Sequence, residues 1–344
     1  MSRISTASTI AIAAFMMMPV AAHAEGSLAI FNWGDYISEE MVKKFEAKYD
    51  VKVTVDTYDS NETMLAKLKS GITGYDLAVP GDYMVEILIK EGLIEKVEPN
   101  TFENYKNLEP QWADVYWDQG RHYSVPWVWG TTSFTVSTKV YKGDVDTLGV
   151  MFNPPDELKG RINLLRDVND VINAALRYLG LPRCNENPDD LKKVQALLTE
   201  LKPSVKSFAY ESKELAESGE VDLAQIWNGK AYLARKGRAD LQYSYPKEGY
   251  TGWMDNLVVI KGAPNLENAK LFMNFLMDPE NAAMMTNFTG YANGVLGSEK
   301  FVDPDLAKAH EYRPPEGAPK PEFVKVCNEK VIKLYDRLWT NFLK

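Results

Sequence analysis

Carboxylates and aromatic rings coincide at several points where strands of this sequence should begin or end. Trp33, Asp35 and Tyr36 follow the first apolar strand, and Tyr83 follows the third. Trp227 closes a later strand, and Trp253 and Asp255 open another. Residues two apart on a strand face the same way, so Trp253 and Asp255 should point into one space. Asp167 and Asp170 fall three apart at a helix start, hence on one helix face. A single tryptophan of this kind is ordinarily core, and a single aspartate ordinarily a helix cap. Their repeated coincidence with strand ends is what marks a site.

Rings beside acids suit a cation. An ammonium is drawn to a ring face, by about 2 kcal/mol or more once desolvated, and a carboxylate gives it charge-assisted hydrogen bonds. A slender diamine has methylenes for rings to sandwich and charged ends that need acids. An oligosaccharide fits the same residues, with rings stacked on sugar faces and acids accepting hydroxyl protons. The two differ in charge balance: a polyamine pocket needs surplus acid, whereas a sugar pocket tolerates Lys and Arg. Enzyme signatures are missing. No GxSxG, HExxH, P-loop or dinucleotide fingerprint occurs after the leader, and His122 and His310 are isolated. A glycosidase-type acid pair stays open. No catalytic residue, metal site or cofactor is expected.

The elements that would hold these residues alternate. A strand is predicted over 27–31, then a helix capped by Ser38 with Met41, Val42, Phe45 and Tyr49 at helical spacing. Val51, Val53 and Val55 give a second strand, and Ser60 opens a helix carrying Met64, Leu65 and Leu68. A strand over 75–79 and a helix over 83–90 complete the first series. From 97 to about 128 the chain reads as less regular, with Trp112, Trp117, Trp127 and Trp129 in or beside turn-rich sequence. A short strand at 134–136 leads into a second series, with strands at 162–165, 221–227, 241–245 and 253–260. Its helices fall at 168–179, 189–201, 228–236, 266–277 and 279–287, and a long amphipathic helix is expected over about 323–342. Two alternating sets imply doubly wound, mostly parallel sheets in two lobes, with ligands at the carboxyl ends of the strands.

The start of the chain reads as an address. Arg3 precedes an apolar run over 10–18, Pro19 breaks it, and Ala22-His23-Ala24 supplies small residues before a cut at Glu25. This is a secretory leader over 1–24, too short to span a bilayer. The remaining chain should work outside the cytoplasm. The whole sequence has 344 residues and a formal charge of −9, which argues against nucleic acid. Export permits a disulfide. Cys184 and Cys327 are far apart in sequence, and two free buried thiols are the slightly favoured reading.

On specific stretches the chain resembles the periplasmic spermidine/putrescine-binding proteins of bacterial ABC importers. They are Phe-Asn-Trp-Gly-Asp-Tyr-Ile at 31–37, Asp-Ser-Asn-Glu at 59–62 and Tyr-Asp-Leu-Ala-Val-Pro at 75–80. Ile-Trp-Asn-Gly at 226–229, Tyr-Pro-Lys-Glu-Gly at 245–249 and Trp-Met-Asp at 253–255 add to them, with Tyr-Ala-Asn at 291–293 and Arg-Leu-Trp at 337–339. The resemblance implies an α/β fold of two lobes joined by a hinge, one of 25–131 plus 256–300 and one of 132–255 plus 301–344. It implies a polyamine, putrescine or spermidine, bound between the lobes by Trp33, Asp35, Tyr36, Tyr83, Asp167, Asp170, Trp227, Trp253, Asp255 and Tyr291. Delivery to an importer permease with a cytoplasmic ATPase follows, from a monomer in the periplasm. Gly81 stands where a serine hydroxyl is common, Lys230 where the putrescine branch has an acid, and Lys325 where the spermidine branch has an amide.

Overall fold

A computed structural model describes residues 26–71, 74–323 and 325–344. The expected leader lies outside the described residues. The first lobe begins with β1 (Gly26–Trp33), α1 (Glu39–Tyr49), β2 (Val51–Tyr58), α2 (Asn61–Lys69), β3 (Leu77–Ala78) and α3 (Asp82–Glu91). β1 lies between β2 and β3 and is parallel to both. Ser38 caps α1 by accepting from the Met41 amide, and Ser60 caps α2 by accepting from the Thr63 amide.

A short turn, α4 (Pro110–Ala113), leads to β4 (Ser124–Ser137), and here the sequence reading needs correction. Trp127 and Trp129 are not in turns but within this 14-residue strand. Every residue of β4 is buried, so the two-residue alternation that reveals a half-exposed strand is missing. Pro126 and Gly130 add local signals of a turn.

The second lobe continues through α5 (Gly149–Phe152), β5 (Ile162–Leu164), α6 (Val168–Tyr178), α7 (Pro188–Leu201), β6 (Val205–Phe208), α8 (Ser212–Glu217) and β7 (Leu223–Trp227). Then come α9 (Asn228–Gly237), β8 (Leu241–Tyr243), β9 (Thr251–Val259), α10 (Leu266–Leu276) and α11 (Pro279–Thr289). The chain closes with α12 (Pro304–Ala307), β10 (Glu322–Phe323) and α13 (Glu329–Leu343). β5 lies between β6 and β7, again parallel to both.

β4 and β9 join the lobes. They run antiparallel from Ser124↔Val258 to Thr132↔Thr251, while Thr132 to Val136 of β4 pair with β7. The far end of β9 pairs with β3. The strand order is β2-β1-β3-β9-β4-β7-β5-β6, so each lobe has three parallel strands flanking this antiparallel ribbon. Separate cores flank it. Phe45 of α1 meets Phe272 and Phe275 of α10 edge-on in the first lobe, and Phe208 meets Phe342 of α13 in the second.

Two further expectations change. The final helix starts at Glu329, capped by Asn328, because Phe323 is spent on pairing β10 with β9. Cys184 and Cys327 form a disulfide with Cα atoms 5.3 Å apart, across 143 residues of sequence. The packing of α13 against α6 and α7 brings them together.

Candidate functional site

β9 carries Trp253 and Asp255 on one face, where the two lobes meet. The Tyr36 hydroxyl donates to Asp255 Oδ2 at 2.6 Å. The Tyr291 ring stands edge-on to both neighbours, with its centroid 5.0 Å from that of Trp253 and 6.0 Å from that of Tyr36. Gly130 of β4 is paired with Trp253. A Cβ on it would lie 2.6 Å from Cζ2 of that indole, so a side chain here would displace the ring.

Burial pushes the Asp255 carboxyl up to about 7, opposed by the Tyr36 hydrogen bond. Among the described residues no lysine or arginine forms an ion pair with it. Tyr36 and Tyr291 are themselves pushed well above the ordinary tyrosine range, by burial first and by Asp255 second. Both hydroxyls therefore stay neutral, and among the described residues no cation pairs with the carboxylate.

Aromatic groups of the first lobe continue the wall. The Trp33 indole N–H donates to the Val79 carbonyl at 2.9 Å, and the Trp33 ring leans on Tyr58 at 4.7 Å. The Tyr83 hydroxyl accepts from Asn61 at 3.1 Å and donates to Glu62 at 3.2 Å. The Asn61 side chain also accepts the Gly81 amide at 3.1 Å, which ties the start of α2 to the start of α3.

A second acidic station faces these rings from the other lobe. Asp167 is the N-cap of α6 and accepts the amides of Asn169 at 2.8 Å and Asp170 at 3.0 Å. Burial raises both carboxyls. For Asp170 the next cause is the charge of Asp167, and for Asp167 the Glu62 charge adds to the rise. Glu62 belongs to α2 of the first lobe, so three acids converge across the cleft. The Tyr210 ring lies parallel to Trp227, 10° apart and 6.1 Å between centroids. Burial and then the charges of Asp167 and Asp170 raise its hydroxyl above the ordinary range.

The sequence-predicted residues thus fall around one cleft, with Asp35 the outlier. It is exposed at the rim, and its charge acts on Lys230. Sequence reasoning missed Glu62, Tyr210 and Asp82. Tyr210 lies just past β6, a strand end like the others, and was missed because that four-residue strand was missed. Asp82 lies in the first turn of α3. In the fold it is 3% exposed, and its Oδ2 has no hydrogen-bond partner. Burial raises it to about 7, and the Asp255 charge adds to the effect. Among the described residues no group of three His, Cys, Asp or Glu is placed to hold a metal ion. Among them, too, no helix is long and apolar enough to cross a membrane.

Comparison with known proteins agrees with this architecture. A family model described as bacterial extracellular solute-binding protein matches residues 40–314. The spermidine/putrescine-binding periplasmic protein of Escherichia coli K12 is 36% identical over 295 residues, covering 83% of each chain. A putrescine/cadaverine-binding protein of Pseudomonas aeruginosa is 30% identical over 347 residues, covering 96% of this chain and 97% of its own. The crystal structure of the spermidine/putrescine transporter substrate-binding protein of Streptococcus pneumoniae superposes with a TM-score of 0.81. It has 27% identity and covers 92% of this chain and 98% of that one.

Proposed function

Because the chain belongs to the bacterial extracellular solute-binding proteins, we propose that it is a periplasmic receptor that captures a polyamine between its lobes and delivers it to an ABC importer. Asp255 carries this reading: a carboxylate enclosed by Trp253, Tyr36 and Tyr291, held by one neutral hydroxyl and, among the described residues, matched by no ion pair. A buried charge of this kind is costly unless a cation meets it. An ammonium would take Asp255 on one side and ring faces on the other, and a second ammonium would reach Asp167 and Asp170. Excess acid favours an amine over a sugar: Asp255, Asp167, Asp170 and Glu62 stand against the charge of Arg177, which acts on Asp170, while the charge of half-buried Lys230 is met chiefly by Asp35.

The lobes are 25–131 with 256–300 and 132–255 with 301–344, with crossings near Thr131, Asp255 and Lys300. The change of partner within β4, from β9 to β7, supports the first two. Ligand contacts divided between lobes stabilise the closed form alone, so ligand shifts the population towards it. The receptor acts as a monomer, without catalysis or cofactor, and its leader over 1–24 directs export. Delivery needs a permease with its ATPase, a partner in keeping with the Streptococcus pneumoniae relative, an ABC transporter substrate-binding protein.

Calorimetric titration with putrescine, spermidine, spermine, cationic amino acids and maltose tests the assignment. Polyamine binding without maltose binding is expected, together with a smaller radius of gyration in solution scattering at saturation. Maltose binding in place of amines would overturn it.

A further inference from the structure

The donors and acceptors around Tyr83 have one consistent arrangement, and it starts at a backbone amide. The Gly81 N–H can only donate, and it does so to the Asn61 side chain at 3.1 Å. The amide oxygen of Asn61 must therefore face Gly81. That leaves Nδ2 to face Tyr83, and it donates to the Tyr83 oxygen at 3.1 Å. Burial, and then the charge of Glu62, holds the Tyr83 hydroxyl well above the ordinary tyrosine range, so it keeps its proton. That proton goes to Glu62 Oε1 at 3.2 Å. Asn61 is the first residue of α2 and is 8% exposed, in a tight place. Gly81 forms an isolated β-bridge with Asp255, and a Cβ on it would lie 3.2 Å from Asn61 Nδ2 and 3.6 Å from Asp255 Oδ1. Asn61 thus joins the backbone beside Asp255 to the hydroxyl of Tyr83.

We propose that Asn61 is a positioning residue that sets the hydrogen-bond polarity of Tyr83, making its oxygen an acceptor towards the cleft. A phenol oxygen has one proton to give and lone pairs to accept with. Asn61 occupies one lone pair and Glu62 takes the proton, so a lone pair is what remains for a ligand. It accepts an N–H of an ammonium or a secondary amine, and it has no proton for an acceptor such as a carboxylate. Without Asn61 the hydroxyl is free to turn, and ordering it again costs part of the binding energy. Asn61 acts through Tyr83 and touches no ligand itself.

This inference rests on the polyamine reading, and its test separates the two. Calorimetry with spermidine and putrescine is run on the wild type, Asn61→Leu, Tyr83→Phe and the double variant, each checked by thermal melting. Asn61→Leu keeps the volume and removes both bonds. It should weaken amine binding about three- to tenfold, the effect of one hydrogen bond. In the Tyr83→Phe background the same change should cost about twofold or less, because the hydroxyl it orients is gone. The Gly81 amide loses its acceptor in both backgrounds, so that cost cancels in the comparison. Asn61→Ser, too short to reach Tyr83, completes the same cycle if Asn61→Leu melts below the assay temperature. Equal losses in the two backgrounds would reduce Asn61 to a tie between α2 and α3 and overturn its role alone, as would unchanged affinity in the single variant. A wild type that binds neither amine would overturn the polyamine reading and this inference together.

Discussion

Asp255 and the Asp167–Asp170 pair offer negative charge to the same cleft from differently built places. Asp255 sits on β9, inside the ribbon that joins the lobes, and takes its hydrogen bond from a tyrosine distant in sequence. Asp167 and Asp170 sit on the first turn of α6, and Asp167 spends Oδ1 on two amides of its own helix. Asp255 is costly through burial and has one neutral donor. The α6 pair is costly through burial and mutual repulsion, but the helix start partly compensates it. A carboxylate that also caps a helix has a structural duty; one that only faces a cavity does not. Loss of charge at Asp255 should therefore be read in binding, and loss at Asp167 in stability as well.

The largest effect is expected at Asp255. Asp255→Asn keeps the shape and removes the charge-assisted bond, worth about 1.5–3 kcal/mol, so polyamine affinity should fall roughly ten- to hundredfold. The ligand-free melting temperature should hold or rise, because a poorly solvated charge is gone. If Asp255 only supported the crossing, calorimetry would show affinity intact and melting would show the loss.

The pH dependence sharpens the contrast. Asp255 is raised to about 7 in the folded chain, well above the unfolded aspartate range. The folded state then holds its proton between about pH 4 and 7 where the unfolded state has released it. That contribution to ligand-free stability falls as pH rises through this window and is flat above it. Binding runs the other way, because an ammonium needs the ionised acid while amines stay charged to about pH 10. Affinity should climb by up to about tenfold per pH unit below 7 and level above 8, with proton release visible as a buffer-dependent heat. A flat profile between pH 5.5 and 8 would remove Asp255 from the contact.

Asp167→Ala should be smaller in binding and visible in folding. Losing an N-cap costs about 1 kcal/mol, hence a drop of roughly 2–4 °C in melting temperature for domains of this size. Asp170→Asn relieves repulsion instead, so it should raise ligand-free stability while weakening amine binding several-fold. Equal melting shifts in the two variants would break the division of labour drawn here. The smallest effect belongs to Tyr36→Phe. It removes the hydrogen bond that holds the Asp255 carboxyl down, so the midpoint of the pH profile should move up with little loss of affinity above pH 8.

Much of this was legible in the sequence because it is local. Ser38, Ser60 and Asp167 cap helices that begin where the capping pattern puts them. The two-residue step from Trp253 to Asp255 sets a shared face whatever β9 packs against. The resemblance carried Tyr291, whose surroundings give no signal of their own.

Tertiary structure decided what depends on chain segments distant in sequence. β4 is buried along its whole length by β9 on one side and by β7 and β8 on the other, so neither period nor polarity marked it. Cys184 and Cys327 meet only because α13 packs on α6 and α7. Glu62 joined the site by acting on Asp167 from the other lobe, Tyr210 by standing near Asp167 and Asp170 within their own lobe, and Asp82 became a buried acid when α3 docked against β9. Residue type and spacing fix caps, faces and periods, since these act within a few residues of chain. Desolvation and charge proximity are set by whatever the fold brings alongside, and that is why the acids here acquire their character only in three dimensions.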